Sequence, residues 1–332
     1  MSNVEGLPVG VLVGGPSLEP ERIGPLARLS EELGFTELWV PEDYFFTGAI
    51  AGATLALAMT SRVPVGIGIV SAVVRHPAVL AMELSTIART FPGRAWPGIA
   101  LGQPLRLRQM GVHPQSILPA LRETVTTVRS LLEGNEVSVR GQDFFMDAVR
   151  LEYPRPAVPI YMGARGPRML SLAGEIADGT IMAWPCSPSY VMWARRHIAG
   201  GMQRSGREKH RVPCFCLFSI DVEGQKARQA IRPLLAWALA MIGQCPPTDV
   251  LGISQDLIGM IDRGGAPTVE REMPDRWLEE LAIAGDPEEC AAKIHQFLSA
   301  GADSVILYPY RTDLAAEMLK MFAADVLPRL SI

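Results

Sequence analysis

The sequence predicts an α/β fold of the (β/α)8 TIM barrel kind, and three observations carry that expectation. Apolar runs of strand length alternate with segments of helical period, the pattern of a parallel sheet covered by helices. Eight of each can be read, which suits a closed barrel better than an open doubly wound sheet. The 332 residues are long for one ordinary domain, whereas a barrel commonly uses about 250 or more as a single unit.

The first strand is read at Val9–Val13 (VGVLV), followed by a helix over Pro20–Leu33 and, after the glycine turn Leu33-Gly34-Phe35, a second strand at Glu37–Val40. Ala51–Thr60 is the second helix, Val63–Val70 (VPVGIGIV) the third strand and Pro77–Thr90 the third helix. Ala95–Leu101 (AWPGIAL) and Leu118–Leu132 form the fourth pair. Glu136–Leu151 has β-like halves around Gly141-Gln142 and reads as a hairpin inserted after the fourth helix. Val158–Met162 and Gly179–Ala183 are the fifth and sixth strands, with the helix Pro167–Ile176 between them. Ser187–Gly201, the strand Cys214–Val222 and the helix Gly224–Met241 follow. From Gln244 to about Gly285, Pro246-Pro247 and Gly264-Gly265 mark an excursion between the seventh and eighth strands, open to use as a substrate pocket, an oligomer contact or a surface lobe. Pro287–Ala300 then leads through Gly301 into the last strand, Ser304–Leu307. No repeat or linker divides the chain, so residues 1–332 are read as one domain.

A net charge of −4, with no block of Lys or Arg, argues against nucleic acid or an anionic membrane as partner. No apolar stretch approaches the roughly 20 residues of a membrane span, and the opening MSNVEGLPVG lacks the pattern of a secretory signal, so the cytoplasm is the expected compartment. Cys186, Cys214, Cys216, Cys245 and Cys290 are odd in number and scattered, which predicts free thiols and no metal site.

Chemistry is most legible from Val158 to Met182, where a strand runs into Gly163-Ala164-Arg165-Gly166-Pro167 and then a helix whose apolar positions include Met169, Leu170, Leu172 and Ala173. Small residues let backbone approach a ligand, and amides at a helix start, aided by the peptide dipoles, favour an anion. Arg165 adds a charge-assisted donor. Two readings stand: the glycines close a βα turn, or the loop binds phosphate.

Taken together, the motifs resemble a family. Glu31-Glu32-Leu33-Gly34-Phe35-Thr36-Glu37-Leu38-Trp39-Val40-Pro41-Glu42-Asp43, Val65-Gly66-Ile67-Gly68-Ile69 with Arg75-His76-Pro77-Ala78, Pro92-Gly93-Arg94 through Gly102, and Gly285-Asp286-Pro287-Glu288-Glu289 to Pro309 are similar to the luciferase-like flavin and deazaflavin oxidoreductases. Among these the chain most resembles the methylenetetrahydromethanopterin reductase type, which uses the deazaflavin coenzyme F-420. The resemblance implies a barrel holding the ring at its C-terminal face, hydride transfer or oxygen activation there, and often a homodimer. It also implies F-420 as cofactor, with FMN as the alternative.

The same resemblance nominates site residues. A non-prolyl cis peptide in the third strand would fall at Gly68-Ile69, behind the ring, and residues 163–167 would surround the cofactor phosphate. Glu42 stands at the family's acidic position and Asp43 where relatives commonly carry histidine, so a carboxylate would handle the proton only if burial raises its pKa. Gln103 replaces the catalytic glutamate of sugar-phosphate-oxidising relatives, and an amide cannot act as general acid, so that activity is not expected. Gln103 and Trp184 are the substrate-side candidates, while Trp184, Tyr308 and Tyr310 read equally as packing. His76 before Pro77 reads as a helix cap, and His113, His197, His210 and His295 receive no chemistry. Three functions follow: F-420-dependent hydride transfer to or from a small organic substrate, a monooxygenase using reduced FMN and oxygen, or a non-catalytic flavin-binding protein.

Overall fold

The computed structural model describes residues 8–16 and 18–330, so the segment read for a secretory signal lies largely outside the described residues. In chain order the elements are β1 (Val9–Leu12), α1 (Ile23–Glu32), β2 (Leu38–Val40), α2 (Ala49–Met59), β3 (Val65–Ser71), α3 (Pro77–Thr90), β4 (Ala95–Ala100), α4 (Pro104–Gln109), α5 (Ile117–Leu132), β5 (Val137–Arg140) and β6 (Phe145–Val149). They continue with β7 (Tyr161–Gly163), α6 (Pro167–Ile176), β8 (Gly179–Ile181), α7 (Pro188–Ser205), β9 (Pro213–Ile220), α8 (Gly224–Ile242), α9 (Pro246–Val250), α10 (Ser254–Glu272), α11 (Asp275–Leu281), β10 (Ala282–Gly285), α12 (Pro287–Ser299), β11 (Ser304–Pro309), α13 (Ala315–Asp325) and α14 (Leu327–Leu330). A single 3-10 turn, Pro20–Arg22, precedes α1.

Nine strands form one parallel sheet in the order β10-β9-β11-β1-β2-β3-β4-β7-β8, and β5 pairs antiparallel with β6 as a separate hairpin. The sheet curls. Its edge strand β8 returns to the flank of β9, where Met182 N–H donates to the Pro213 carbonyl (3.0 Å) and Phe215 N–H to the Met182 carbonyl (2.9 Å). Strand β10 bonds the other half of the same β9 flank, pairing Ala282–Gly285 with Leu217–Ile220. The apolar pattern does not disclose β10, because AIAG is only four residues long and half alanine. Likewise the stretch read as an excursion consists mainly of helices, with Leu257, Val269 and Trp277 buried in one cluster with Leu217 and Leu235. Gly34 (φ 91°) and Gly301 (φ 103°) take the left-handed conformation expected of the turns before β2 and β11.

Alternation along the strands makes two cores. Val9, Val11, Leu38 and Val40 pack with the surrounding helices, whereas Leu12, Trp39, Tyr161, Ile181, Phe215 and Ile306 form a second cluster inside the curl. Trp39 fits inside because its neighbours lack side chains: a Cβ on Gly66 would lie 2.1 Å from its ring.

One carboxylate ties the end of α1 to the turn before β3. Glu31, 9% exposed, accepts the backbone N–H groups of Ser61, Arg62 and Val63 at 2.7 to 3.1 Å. Burial alone would raise its pKa, but the amides of Val63, Arg62 and Ser61 and the Ser61 hydroxyl pull it down to about 2. A depressed acid stabilises the fold in full above its unfolded pKa and loses that contribution as pH falls through the folded value. Acidification from about pH 5 to pH 2 should therefore remove on the order of 2 to 3 kcal/mol that Glu31 contributes. Urea titrations of the wild type and Glu31→Gln at several pH values check this; parallel pH profiles for the two would refute it.

Candidate active site

The nominated residues lie at or just beyond the C-terminal ends of the parallel strands. Strand β2 runs into Pro41-Glu42-Asp43-Tyr44, and a tight turn follows because the Asp43 carbonyl accepts Phe46 N–H at 2.7 Å. Within this turn the two carboxylates have different fates. Glu42, its side chain 3% exposed, receives a bidentate Arg75 guanidinium (2.9 and 2.6 Å) and the Tyr44 hydroxyl (2.7 Å). Both of its oxygens are engaged by fixed partners. The Asp43 carboxylate has no hydrogen bond among the described residues, and burial raises its pKa above the usual carboxylate value. Its charge reaches Tyr308, whose phenol is pushed above its normal range by burial first and by Asp43 next.

Strand β3 contributes Gly68 and Ile69, and the peptide between them is cis, as is the Tyr44-Phe45 peptide beyond β2. Pairing with β4 slips between Ile67 and Val70, so Gly68 and Ile69 stand clear of the ladder. Ile69 then spreads over the glycines of the next two strands. Its Cγ2 would lie 3.3 Å from a Cβ on either Gly98 or Gly163. Gly68 is equally restricted on its own side, where a Cβ would come within 2.8 Å of the Phe215 ring. The structure therefore brings Gly68 and Ile69 into one neighbourhood with Gly163, at the start of the loop after β7.

That loop ends in an open helix start. Gly166 is the N-cap of α6 and Pro167, which has no N–H, its first residue; no side chain caps the turn. A Cβ on Gly166 would meet nothing within 4 Å. Amides without a side-chain acceptor, space above them and a nearby guanidinium suit a phosphate. Arg165 is half-buried, and its Nη2 donates to the Trp184 carbonyl at 3.4 Å. Its own carbonyl accepts the Tyr190 hydroxyl at 2.5 Å, a tie that no local motif discloses. Ala164 is buried beside it.

Trp184 lies at the start of a cis Trp184-Pro185 bond and tilts against Tyr308, ring centroids 5.8 Å apart. Tyr308 in turn fills the space that a side chain on Gly15 would occupy, its Oη 2.7 Å from the would-be Cβ. A continuous path of contact thus runs from Arg165 through Trp184 to Tyr308, which feels the charge on Asp43. Gln103, after β4, is the N-cap residue of α4, exposed and without a side-chain hydrogen bond among the described residues. Phe45 and Phe46, 63% and 52% exposed, line the turn after Asp43, and the Arg106 guanidinium lies 5.8 Å from the Phe45 ring centre. Sequence reading passed over both phenylalanines, since an aromatic pair in an apolar chain carries no positional signal.

His76 caps α3: its Nδ1 accepts Ala78 N–H (3.3 Å), which leaves Nε2 to donate to the Phe145 carbonyl of the β5–β6 hairpin (3.2 Å). His210 sits instead by Thr180, its Nε2 2.8 Å from Oγ1, and burial with the nearby Arg195 lowers its pKa to about 4. Among the described residues, no group of three His, Cys, Asp or Glu side chains could hold a metal, and no helix is long and apolar enough to cross a membrane.

Known proteins resemble this chain in sequence and fold. The chain is 27% identical over 298 residues to the 5,10-methylenetetrahydromethanopterin reductase of Methanolobus tindarius, covering 88% of this chain and 91% of that one. It is 28% identical over 328 residues to the F-420-dependent glucose-6-phosphate dehydrogenase of Nakamurella multipartita, covering 94% and 93%. The solved coenzyme F-420 dependent tetrahydromethanopterin reductase of Methanopyrus kandleri superposes with a TM-score of 0.84 at 25% identity, over 98% of this chain and 100% of that one. A sequence profile of the luciferase-like monooxygenases matches residues 8–304, and the chain belongs to that family.

Proposed function

We propose that this chain is an oxidoreductase that binds the deazaflavin coenzyme F-420 at the mouth of its curled sheet and exchanges a hydride between it and a small organic substrate. The observation that carries the reading is the junction of two cradles. Gly68 and Ile69 offer an apolar support of the kind a ring needs, and the Ile69 side chain lies beside Gly163, where the uncapped, arginine-bearing loop suited to phosphate begins. Named F-420-dependent relatives, matched over nearly their whole length, support the choice of cofactor. Bound there, a deazaflavin supplies a two-electron hydride carrier without the ring nitrogen through which reduced flavins react with oxygen.

This chain's own residues take the following parts. Asp43 holds or delivers the proton that accompanies the hydride, Glu42 fixes Arg75 and Tyr44 beside it, and Gln103 and Trp184 border the substrate. The sheet is read as an eight-stranded barrel, β1-β2-β3-β4-β7-β8-β9-β11, with the β5–β6 hairpin and residues 244–285 as its insertions; the hydrogen bonds joining Met182 to Pro213 and Phe215 support that closure. Sedimentation at micromolar concentration tests the homodimer that the family resemblance implies. Five unpaired thiols favour a reducing, cytoplasmic setting.

Fluorescence titration with F-420 and with FMN, followed by hydride-transfer assays on small alcohols and carbonyl compounds, tests the function. Binding of F-420 well below the FMN dissociation constant is expected; tighter binding of FMN would transfer the reading to an oxygen-using monooxygenase. Arg165→Ala should weaken F-420 binding by about 1.5 to 3 kcal/mol, roughly tenfold to a hundredfold, as loss of a partly desolvated charge-assisted bond does. Unchanged affinity in that variant would place the Arg165 guanidinium away from the phosphate.

A further inference from the structure

Building on the reading of Asp43 as the proton carrier, we infer that the Tyr308 hydroxyl is a second catalytic group, which donates a hydrogen bond to the substrate oxygen whose charge changes during hydride transfer. The argument starts from a donor without an acceptor. Three tyrosines are buried among the described residues, and a buried phenol ordinarily finds a hydrogen-bond partner. Tyr161 shares its hydroxyl with Arg211 at 3.3 Å, and Tyr190 donates to the Arg165 carbonyl at 2.5 Å. Tyr308, 6% exposed, is the third, and its hydroxyl has no hydrogen bond among the described residues. Nor is that oxygen one of the polar atoms sealed in the interior without a partner. It therefore opens onto space that a molecule other than this chain can enter.

The backbone beyond β1 makes that space. Strand β1 lies between β2 and β11, and it runs into Gly14 and Gly15, both at positive φ (146° and 108°). A Cβ on Gly14 would lie 2.7 Å from Cδ of Pro41, and one on Gly15 would lie 2.7 Å from the Tyr308 oxygen. Since Pro41 leads directly into Glu42-Asp43, the two glycines let the ends of β2 and β11 approach each other over β1. Electrostatics agree with this approach: after burial, Asp43 acts most strongly on the Tyr308 phenol, ahead of Tyr310. Glu42, the other acid of the turn, is taken up by Arg75 and Tyr44. Trp184 closes the side, its ring 5.8 Å from that of Tyr308. Two polar groups without partners, a carboxyl and a phenol, thus face one opening.

They divide one task. In the reducing direction the carbonyl carbon accepts a hydride from the reduced coenzyme, the C=O π pair becomes the new O–H bond, and Asp43 supplies its proton. Tyr308 keeps its own proton and directs its O–H at the oxygen where negative charge builds, as a preorganised oxyanion donor does. Burial suits the phenol to that part, because it holds the hydroxyl protonated. Oxidation of an alcohol uses the same contacts, with the Asp43 carboxylate taking the proton.

Two measurements test this. With 3-fluorotyrosine in place of tyrosine the phenols titrate at lower pH, and the fluorine resonance of position 308 is the one that disappears in Tyr308→Phe. In coenzyme-free protein, Asp43→Asn should lower the pH at which this resonance titrates and leave those of Tyr161 and Tyr190 in place. An unmoved titration would overturn the pairing of Tyr308 with Asp43, whatever coenzyme is used. In hydride-transfer assays on small alcohols and carbonyl compounds, Tyr308→Phe should lower kcat about 100-fold and change KM by no more than about threefold, as loss of one oxyanion donor does. The pH dependence assigned to Asp43 should remain in that variant. A kcat within about twofold of wild type would overturn the catalytic part of Tyr308, and loss of the pH dependence would make Tyr308 the proton carrier instead. Absence of any hydride transfer with F-420 in the wild type would overturn the oxidoreductase reading and this inference together.

Discussion

Arg211→Ala is expected to lower the unfolding free energy by about 3 to 4 kcal/mol, because it strands a buried carboxylate. Glu37, 2% exposed, points into the curl below Trp39, where Arg211 donates to its Oε1 at 3.1 Å and the Trp39 indole N–H to its Oε2 at 2.9 Å. The guanidinium is itself clamped, 4.7 Å over the Trp96 ring and 3.3 Å from the Tyr161 hydroxyl. Removing it would leave Glu37 with the indole and the distant backbone as its only compensation. The arginine side chain keeps 37% of its exposure, so water already screens part of the pair and the estimate belongs at the lower end of the range for breaking buried ion pairs. Urea titration measures the loss. The double variant Glu37→Gln, Arg211→Met should recover much of it, since neither buried charge then remains; a loss under about 1 kcal/mol in Arg211→Ala would mean that water reaches Glu37.

The cluster around Glu37 shows what local sequence does and does not carry. Strand positions were legible because their apolar runs are dictated by burial on both faces, and the turn from β7 into α6 was legible because glycine frees the backbone for a tight loop and proline favours a helix start. Pairings across the sheet were not. Glu37 meets Arg211 across 174 residues and Glu42 meets Arg75 across 33, and nothing in either neighbourhood specifies the other. Only the arrival of Arg75 and Tyr44 separates a carboxylate with fixed partners from one without. The tilt of Trp184 on Tyr308 is of the same kind, since it follows from the curl that sets β8 and β11 on either side of β9. Strand β10 escaped for the opposite reason: its pairing with β9 is carried by backbone hydrogen bonds, and small side chains leave no pattern to read.

The largest functional effect is expected at Asp43. Asp43→Asn should lower turnover by about 100-fold or more, the usual scale for removing a general acid or base, with F-420 affinity nearly unchanged. The substitution keeps shape and removes only the titrating proton. In the wild type, burial raises the Asp43 pKa, so a dependence of kcat/KM on this group should appear above the pH range of an ordinary carboxylate and vanish in the variant. Stability should move the other way. An acid with a raised folded pKa costs the fold nothing below its unfolded pKa and its full penalty above the folded one, so at neutral pH the asparagine variant should be at least as stable as the wild type. A variant that keeps full turnover would make Asp43 a structural carboxylate. Full turnover with the pH dependence retained would direct attention to the Tyr308 phenol, the group that shares its field. Reduced turnover together with reduced stability would instead mean that the carboxylate holds the turn after β2 in place, and that the proton is carried elsewhere.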